Sequence, residues 1–260
     1  MRGSFFMQTK PKTPSEIKAI RESGRMLATV LGYLIANVAI GMSTKQIADL
    51  ARTEISKLGG EPAFLNYQGF PDVLCTSVNN EVVHGIPRTD KIIQNGDLLS
   101  LDFGVKYRGM ITDAARTVIV GKPKDKSQVD FVENTRRSLL EGLAVVKDGV
   151  RVGDIGHAIE KYLNRFGYGI VRDLVGHGVG HYLHENPNIP NYGRPHTGPW
   201  LKKNMTIAIE PMTTMGRDDI MVSKDDWTIL TRDNSLAAHF EDTVLITEQG
   251  CEILSQDLLR

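Results

Sequence analysis

Apolar residues recur at helical spacing from Ser15 to Ala39, where Ile17, Ile20, Leu27, Leu31 and Leu34 fall on one side of a 3.6-residue repeat. That spacing predicts a helix with Ser15 as its N-cap. Gly41 then opens a turn, and Ser43 caps a second predicted helix. Its stripe is Ile47, Leu50, Ile55 and Leu58, stopped by Gly59 and Gly60. The plan recurs downstream. Val129 to Val146 reads as a helix, Gly149 as a turn, and Ile155, Ile159, Leu163 and Phe166 as another stripe ended by Gly167. After each helix pair the period drops to two. Leu99, Leu101 and Phe103 alternate with Ser100 and Asp102, and Ile207 and Ile209 alternate before Glu210, as strands require.

The two copies hold one register. Gly41 and Gly149, Ile47 and Ile155, Ile55 and Leu163, and Gly59 and Gly167 are each 108 residues apart. The same shift carries Asp102 onto Glu210 (210 − 102 = 108). Each half also ends with an acid entering a β-rich run, Asp113 ahead of TVIVG and Glu241 ahead of TVLIT. Two copies of helix, helix, strand, strand predict an α/β (α+β) sandwich with an internal pseudo-twofold. The expected organisation is a flexible N-terminal extension over residues 1–14 and one catalytic domain over 15–260, its halves spanning about 15–125 and 126–254. Such symmetry brings equivalent strands together, so their carboxylates can converge.

Composition narrows the class. At 260 residues, with 41% hydrophobic and 24% charged, the chain has the make-up of a soluble globular protein. Lys plus Arg and Asp plus Glu both number 31, so there is no basic surplus of the kind nucleic-acid binding calls for. Two cysteines, Cys75 and Cys251, fit a reducing compartment better than a disulfide scaffold. Neither a signal peptide nor a membrane span is read from the hydropathy pattern, and a cytoplasmic location is expected. Met7 is a second candidate start, which would make residues 1–6 foreign to the protein.

An ionised carboxylate embedded in an apolar strand needs a partner, since an unpaired buried charge is prohibitively costly. Asp102, Asp113, Glu210 and Glu241 all share that context, and no comparably embedded cluster of Lys or Arg matches them. Divalent cations would supply the missing charge. The segment GHGVGHYLHENP adds His177, His181 and His184, with three glycines that argue against a helical zinc motif there. One histidine of this segment is the expected ligand and another a substrate contact; His181 is better read as a solvent or packing residue. Four carboxylates with one imidazole form a hard donor set suited to a pair of Mn, Fe, Co or Zn ions. Paired ions sharing a water perform hydrolysis, of a peptide, an amide or a phosphate ester. Cys75, inside the apolar VLCTSV run, reads as a packing residue or pocket wall rather than a nucleophile.

The segments LDFG, ITDAART, GHGVGHYLHENP, IAIEPM and FEDTVLIT, taken in order, resemble the type I methionine aminopeptidases, the short bacterial form of the pita-bread metallopeptidases. The resemblance runs from about Ser15 to Leu254. It implies the pita-bread fold, with a central antiparallel sheet, and a site of two divalent ions. In that scheme Asp102 chelates one ion, His177 and Glu210 the other, and Asp113 and Glu241 bridge both. Glu210 doubles as the proton-shuttling base. His84, in VVHGIP, corresponds to the histidine near the scissile amide, and His184 to the one that steadies the carbonyl. By position Phe64, Tyr67, Phe70, Cys75, Leu183 and Trp227 form the methionine pocket. Phe64, Phe70 and Leu183 stand where the family commonly carries Cys, Tyr and Phe, and all three keep the pocket apolar. The resemblance assigns no role to His181 or His239.

The implied substrate is a nascent polypeptide with a small second residue, the ribosome is a transient partner, and the protein is expected to be a monomer. Two rival readings carry distinct expectations. A prolidase or aminopeptidase P would prefer Ala-Pro-type peptides and usually has an additional N-terminal domain. A binding module that had lost catalysis would lack ligands, whereas all five are present here.

Overall fold

The structure is a computed structural model that describes residues 7–256, so the origin of residues 1–6 lies outside the described residues. Helix α1 spans Pro14–Asn37 and α2 spans Thr44–Leu58. The N-cap of α1 is Thr13, not Ser15. Glu16 lies three residues after Thr13, and the two form a reciprocal capping box in which the Thr13 N–H donates to Glu16 Oε2 at 2.8 Å. Ser43 and Gln46 do the same for α2, which Gly59 ends in the left-handed conformation at φ 78°. Helix α3 (Lys126–Ala144) begins three residues earlier than Val129, because the Asp125 carboxylate accepts from the Gln128 N–H. Helix α4 spans Val152–Leu163. Gly41 and Gly149, matched in the sequence, both turn at positive φ, as do Gly59 and Gly167.

The first half carries strands β1 (Glu61–Pro62), β2 (Cys75–Val78), β3 (Glu81–Val83), β4 (Asp97–Tyr107) and β5 (Met110–Val120). The second carries β6 (Gly169–Ile170), β7 (Gly176–Gly178), β8 (Glu185–Ile189), β9 (Thr206–Ile209) and β10 (Met212–Thr214). It continues with β11 (Ile220–Val222), β12 (Ile229–Thr231), β13 (Ala237–His239), β14 (Glu241–Ile246) and β15 (Cys251–Ile253). The main sheet runs β1-β4-β5-β14-β9-β7-β8, with β2 also on β4 and β15 also on β14, and its pairings are antiparallel. Its centre is symmetric, two strands from each half. The smaller sheets are β13-β10-β6 and β11-β12-β3.

Each half has its own core. Leu27, Leu31, Ile47 and Ile55 from α1 and α2 pack on Leu99, Leu101 and Phe103 of β4. Leu139, Ile155, Ile159 and Leu163 from α3 and α4 pack on Ile207 and Ile209 of β9 and Val244 of β14. Each such side chain contributes about 1.5–3 kcal/mol on burial. Strand alternation then forces Asp102 to the opposite face from Leu101 and Phe103.

The seam between the halves is narrow. Strands β5 and β14 meet at Ala115 with Glu241 and at Ala114 with Asp242. Thr243 Oγ1 joins both backbone groups of Asp113, accepting from its N–H at 2.8 Å and donating to its carbonyl at 2.7 Å. Behind the sheet Arg116 donates to the Glu241 carbonyl at 2.6 Å and to Asp242 Oδ1 at 2.7 Å.

Residues 7–13, expected as part of an extension, are instead tied to the second half. Thr9 N–H donates to the Asn186 carbonyl at 2.7 Å, and Lys12 N–H to the Asn204 carbonyl at 2.7 Å. The Lys12 side chain is wholly buried, its ammonium 3.4 Å from Glu185 Oε2. Among the described residues, no helix is long and apolar enough to cross a membrane.

Candidate metal centre

Strands β4, β5, β7 and β14, together with the residue after β9, deliver side chains to one face of the sheet at the seam. Asp102 sits opposite Ala115 in the β4–β5 ladder, and Asp113 sits opposite Gly104 on the same pair. Glu241, first residue of β14, is also paired with Ala115, so three acids gather around one small side chain. His177 of β7 is in register with Ala208 of β9, which brings it beside Glu210. Its Nε2 lies 3.5 Å from Glu210 Oε1 and 4.0 Å from Glu241 Oε1. Asn191 donates through Nδ2 to the Glu210 carbonyl at 3.0 Å and fixes that turn of backbone.

Possible ligand atoms of Asp113, His177 and Glu241 lie within 4.8 Å of one another. Asp102 Oδ1, Asp113 Oδ1 and Glu241 Oε1 are fully buried, and among the described residues no hydrogen-bond partner reaches them. Burial pushes Asp102 and Glu210 each up to about 7. Burial, reinforced by the neighbouring carboxylates, drives Asp113 and Glu241 well above the usual carboxylate range. Among the described residues no protein cation compensates these acids, since Arg116 is engaged with backbone carbonyls and Asp242. Orphaned oxygens and one imidazole converging at ligand spacing fit divalent metal ions, and Asp102, Asp113, His177, Glu210 and Glu241 are the residues that would hold them.

These groups form the floor of a cavity of about 130 Å³. Phe64, Phe70, Cys75 and Leu183 are its buried apolar wall, with Tyr67 and Trp227 partly buried beside them. The Phe70 and Trp227 rings meet edge to face at 5.2 Å. Burial pushes the Cys75 thiol well up, which keeps it protonated and suits a wall rather than a nucleophile. His84 also lines the cavity, at φ 58°, in the left-handed region that a non-glycine residue seldom adopts. Burial, then the charge of His239, lowers its imidazole to about 4. His184 lies with its ring centroid 4.3 Å from that of His177, and its Nδ1 is 2.8 Å from Tyr67 Oη. Burial lowers it to about 2, so it is neutral at working pH. The structure therefore brings the five expected ligands, His84, His184 and the six expected pocket residues to one cavity.

His181 is elsewhere. Its Nε2 pairs with Glu16 Oε1 at 2.7 Å, away from the cavity. Sequence reasoning missed three contributors. Gln68, with φ 50°, joins the lining from the short 3₁₀ turn Tyr67–Gly69. Glu185 accepts from the backbone N–H groups of His181 and Tyr182, at 2.7 and 3.0 Å, and shapes the loop that carries Leu183 and His184. His239 approaches Glu210 and Glu241 from the side opposite His177, and burial lowers it to about 4. The available signal for His239 was its i, i+2 relation to Glu241, which puts both on one face of an extended chain.

Residues 18–248 match the model of metallopeptidase family M24. A methionine aminopeptidase of Clostridium acetobutylicum is 41% identical, over 94% of this chain and 97% of the relative. The crystal structure of methionine aminopeptidase from Thermotoga maritima superposes with a TM-score of 0.94 at 42% identity, covering 96% of this chain and all of that one. The prolidase of Pyrococcus furiosus matches with a TM-score of 0.75 at 26% identity, covering 94% of this chain but only 65% of the prolidase.

Proposed function

Because the chain belongs to metallopeptidase family M24 and, within it, to the methionine aminopeptidases, we propose that Asp102, Asp113, His177, Glu210 and Glu241 hold two divalent ions that serve its metal-dependent hydrolysis. The single observation that carries this assignment is the convergence of three buried acids, Asp102, Asp113 and Glu241, each with an orphaned oxygen, and the partly buried Glu210 on His177 at the seam. Asp102 would hold one ion and His177 with Glu210 the other, with Asp113 and Glu241 serving both; Co, Mn, Fe or Zn would suit this donor set. Residues 15–260 act as a single catalytic domain.

When bound, such ions supply the positive charge that lowers the pKa of water towards about 7 and stabilises a developing oxyanion. Glu210 takes the water's proton and returns it to the departing amine. Tyr67 Oη holds His184 Nδ1 at 2.8 Å; with that hydroxyl donating, the ring proton sits on Nε2, which donates to the substrate carbonyl. His84 holds the scissile amide, its ring 6.4 Å from Trp227. The initiator methionine enters between Phe64, Tyr67, Phe70, Cys75, Leu183 and Trp227, where apolar walls exclude water from the reacting bond. The crowding of His84, Phe70 and Trp227 supports a small second residue in a nascent polypeptide. The enzyme works as a cytoplasmic monomer that meets its substrate at the ribosome.

The test compares metal-reconstituted protein on Met-Ala-Ser and on Ala-Pro-type peptides, with Asp113→Ala as control. Release of methionine from Met-Ala-Ser, lost in the variant, is the expected result. Preference for Ala-Pro peptides would overturn the specificity. Full activity in Asp113→Ala would overturn the metal assignment.

A further inference from the structure

His239 has no place in the scheme above, yet it is buried at 1% exposure and, among the described residues, neither ring nitrogen has a hydrogen-bond partner. A buried polar group left unpaired is destabilising, so a histidine in this state calls for a reason. Its backbone is held firmly. Thr117 Oγ1 accepts from the His239 N–H at 2.9 Å and donates to its carbonyl at 2.8 Å. The ring is thereby aimed at the acids, with Nε2 3.5 Å from Glu210 Oε2 and 4.0 Å from Glu241 Oε2. His177 stands at the same two distances from the other oxygen of each carboxylate. Two imidazoles thus bracket Glu210 and Glu241, one oxygen of each acid per ring.

We propose that His239 is a positioning residue of the metal centre: its Nε2–H holds the outer oxygens of Glu210 and Glu241 so that their inner oxygens face His177 and the ions. The inference rests on the metal centre proposed above. His239 serves the ligands, because its Nε2 faces the Oε2 atoms of Glu210 and Glu241 while His177 faces their Oε1 atoms. Partners that orient a ligating group typically change metal affinity about 10–100-fold when removed. An amide N–H can replace the imidazole N–H in this role, whereas an apolar side chain cannot.

The experiment titrates wild-type, His239→Gln and His239→Leu proteins with cobalt(II), reading affinity by calorimetry and the visible absorption of the bound ion. Unfolding of the metal-free proteins is followed alongside to establish that each is folded. Cobalt should bind His239→Leu about 10–100-fold more weakly than wild type, with altered absorption, and His239→Gln within about threefold of wild type. Its kcat should fall in His239→Leu with KM little changed. Wild-type affinity in His239→Leu would overturn the proposal. Equal weakening in His239→Gln and His239→Leu would also overturn it, because the imidazole itself would then be needed as a ligand. Wild-type protein that takes up no cobalt would sink the metal-centre reading and this inference with it, an outcome distinct from the other two.

Discussion

Asp102→Asn should make the metal-free protein progressively more stable than wild type as the pH rises. In the metal-free fold, burial lifts Asp102 from the ordinary 3.8 to about 7, with Glu210 adding to the rise and His239 opposing it. Between those values the folded protein keeps a proton that the unfolded chain has already released. Its stability is therefore full below pH about 4 and declines as the pH climbs through about 7. A shift of that size corresponds to a cost on the order of 4 kcal/mol once complete, of which roughly 2–3 kcal/mol accrues between pH 5 and pH 7.5. Asparagine has nearly the same shape and no charge to desolvate, so the variant escapes that cost. For a chain of this length the difference amounts to about 5–10 °C in melting temperature. His84, His184 and His239, lowered by burial, slope the opposite way in both proteins. Removing the Asp102 charge also relieves Asp113 and Glu241, which adds to the gain at high pH. The assay is thermal unfolding of chelator-treated wild-type and Asp102→Asn protein at pH 5 and pH 7.5. A melting-temperature difference that stays constant between the two pH values would refute the reasoning, since the acid would then not be a buried group awaiting a cation.

The same raised acids predict proton release on metal uptake. Calorimetry of cobalt binding near pH 6, in two buffers of different ionisation enthalpy, should give heats that differ by more than one proton per protein, and buffer-independent heats would count against the assignment. Lys12→Met should lose about 3–5 kcal/mol in urea unfolding by leaving Glu185 without its buried counter-ion, and the double variant Lys12→Met with Glu185→Gln should recover part of that loss. A single variant as stable as wild type would show that the N-terminal segment does not hold the His184 loop.

What could be read from the sequence was whatever depends on neighbours in the chain. Ser43 with Gln46, and Gly59 in its left-handed turn, announce the ends of α2 by local hydrogen bonding and backbone freedom alone. Alternation around Asp102 gives its face without any knowledge of the sheet. The match of Asp102 to Glu210 needed only a constant register. The first helix start was misplaced by two residues because Thr13 and Ser15 are both competent caps, and the choice falls to the acid three residues on. Long-range partners were invisible. Nothing near Lys12 points to Glu185, 173 residues away, and nothing near His239 points to Thr117. His181 and His184, three residues apart in one glycine-rich loop, end with different neighbours because only His184 meets the Tyr67 hydroxyl.

The pairing of Asp102 with Glu210 keeps a shift of 108, whereas Asp113 and Glu241 are 128 apart (241 − 113). Relative to the first half, the second holds 20 additional residues between its two acids, and the β11–β12 hairpin with Trp227 lies in that interval. The two repeats thus share the paired acids of the candidate metal centre, and they differ where Trp227 joins the cavity wall. In a repeat arranged this way, a change in the hairpin can retune which residue is accepted while the paired acids stay untouched. Reaction and selectivity are free to evolve at different rates, because only one of them is bound by the symmetry.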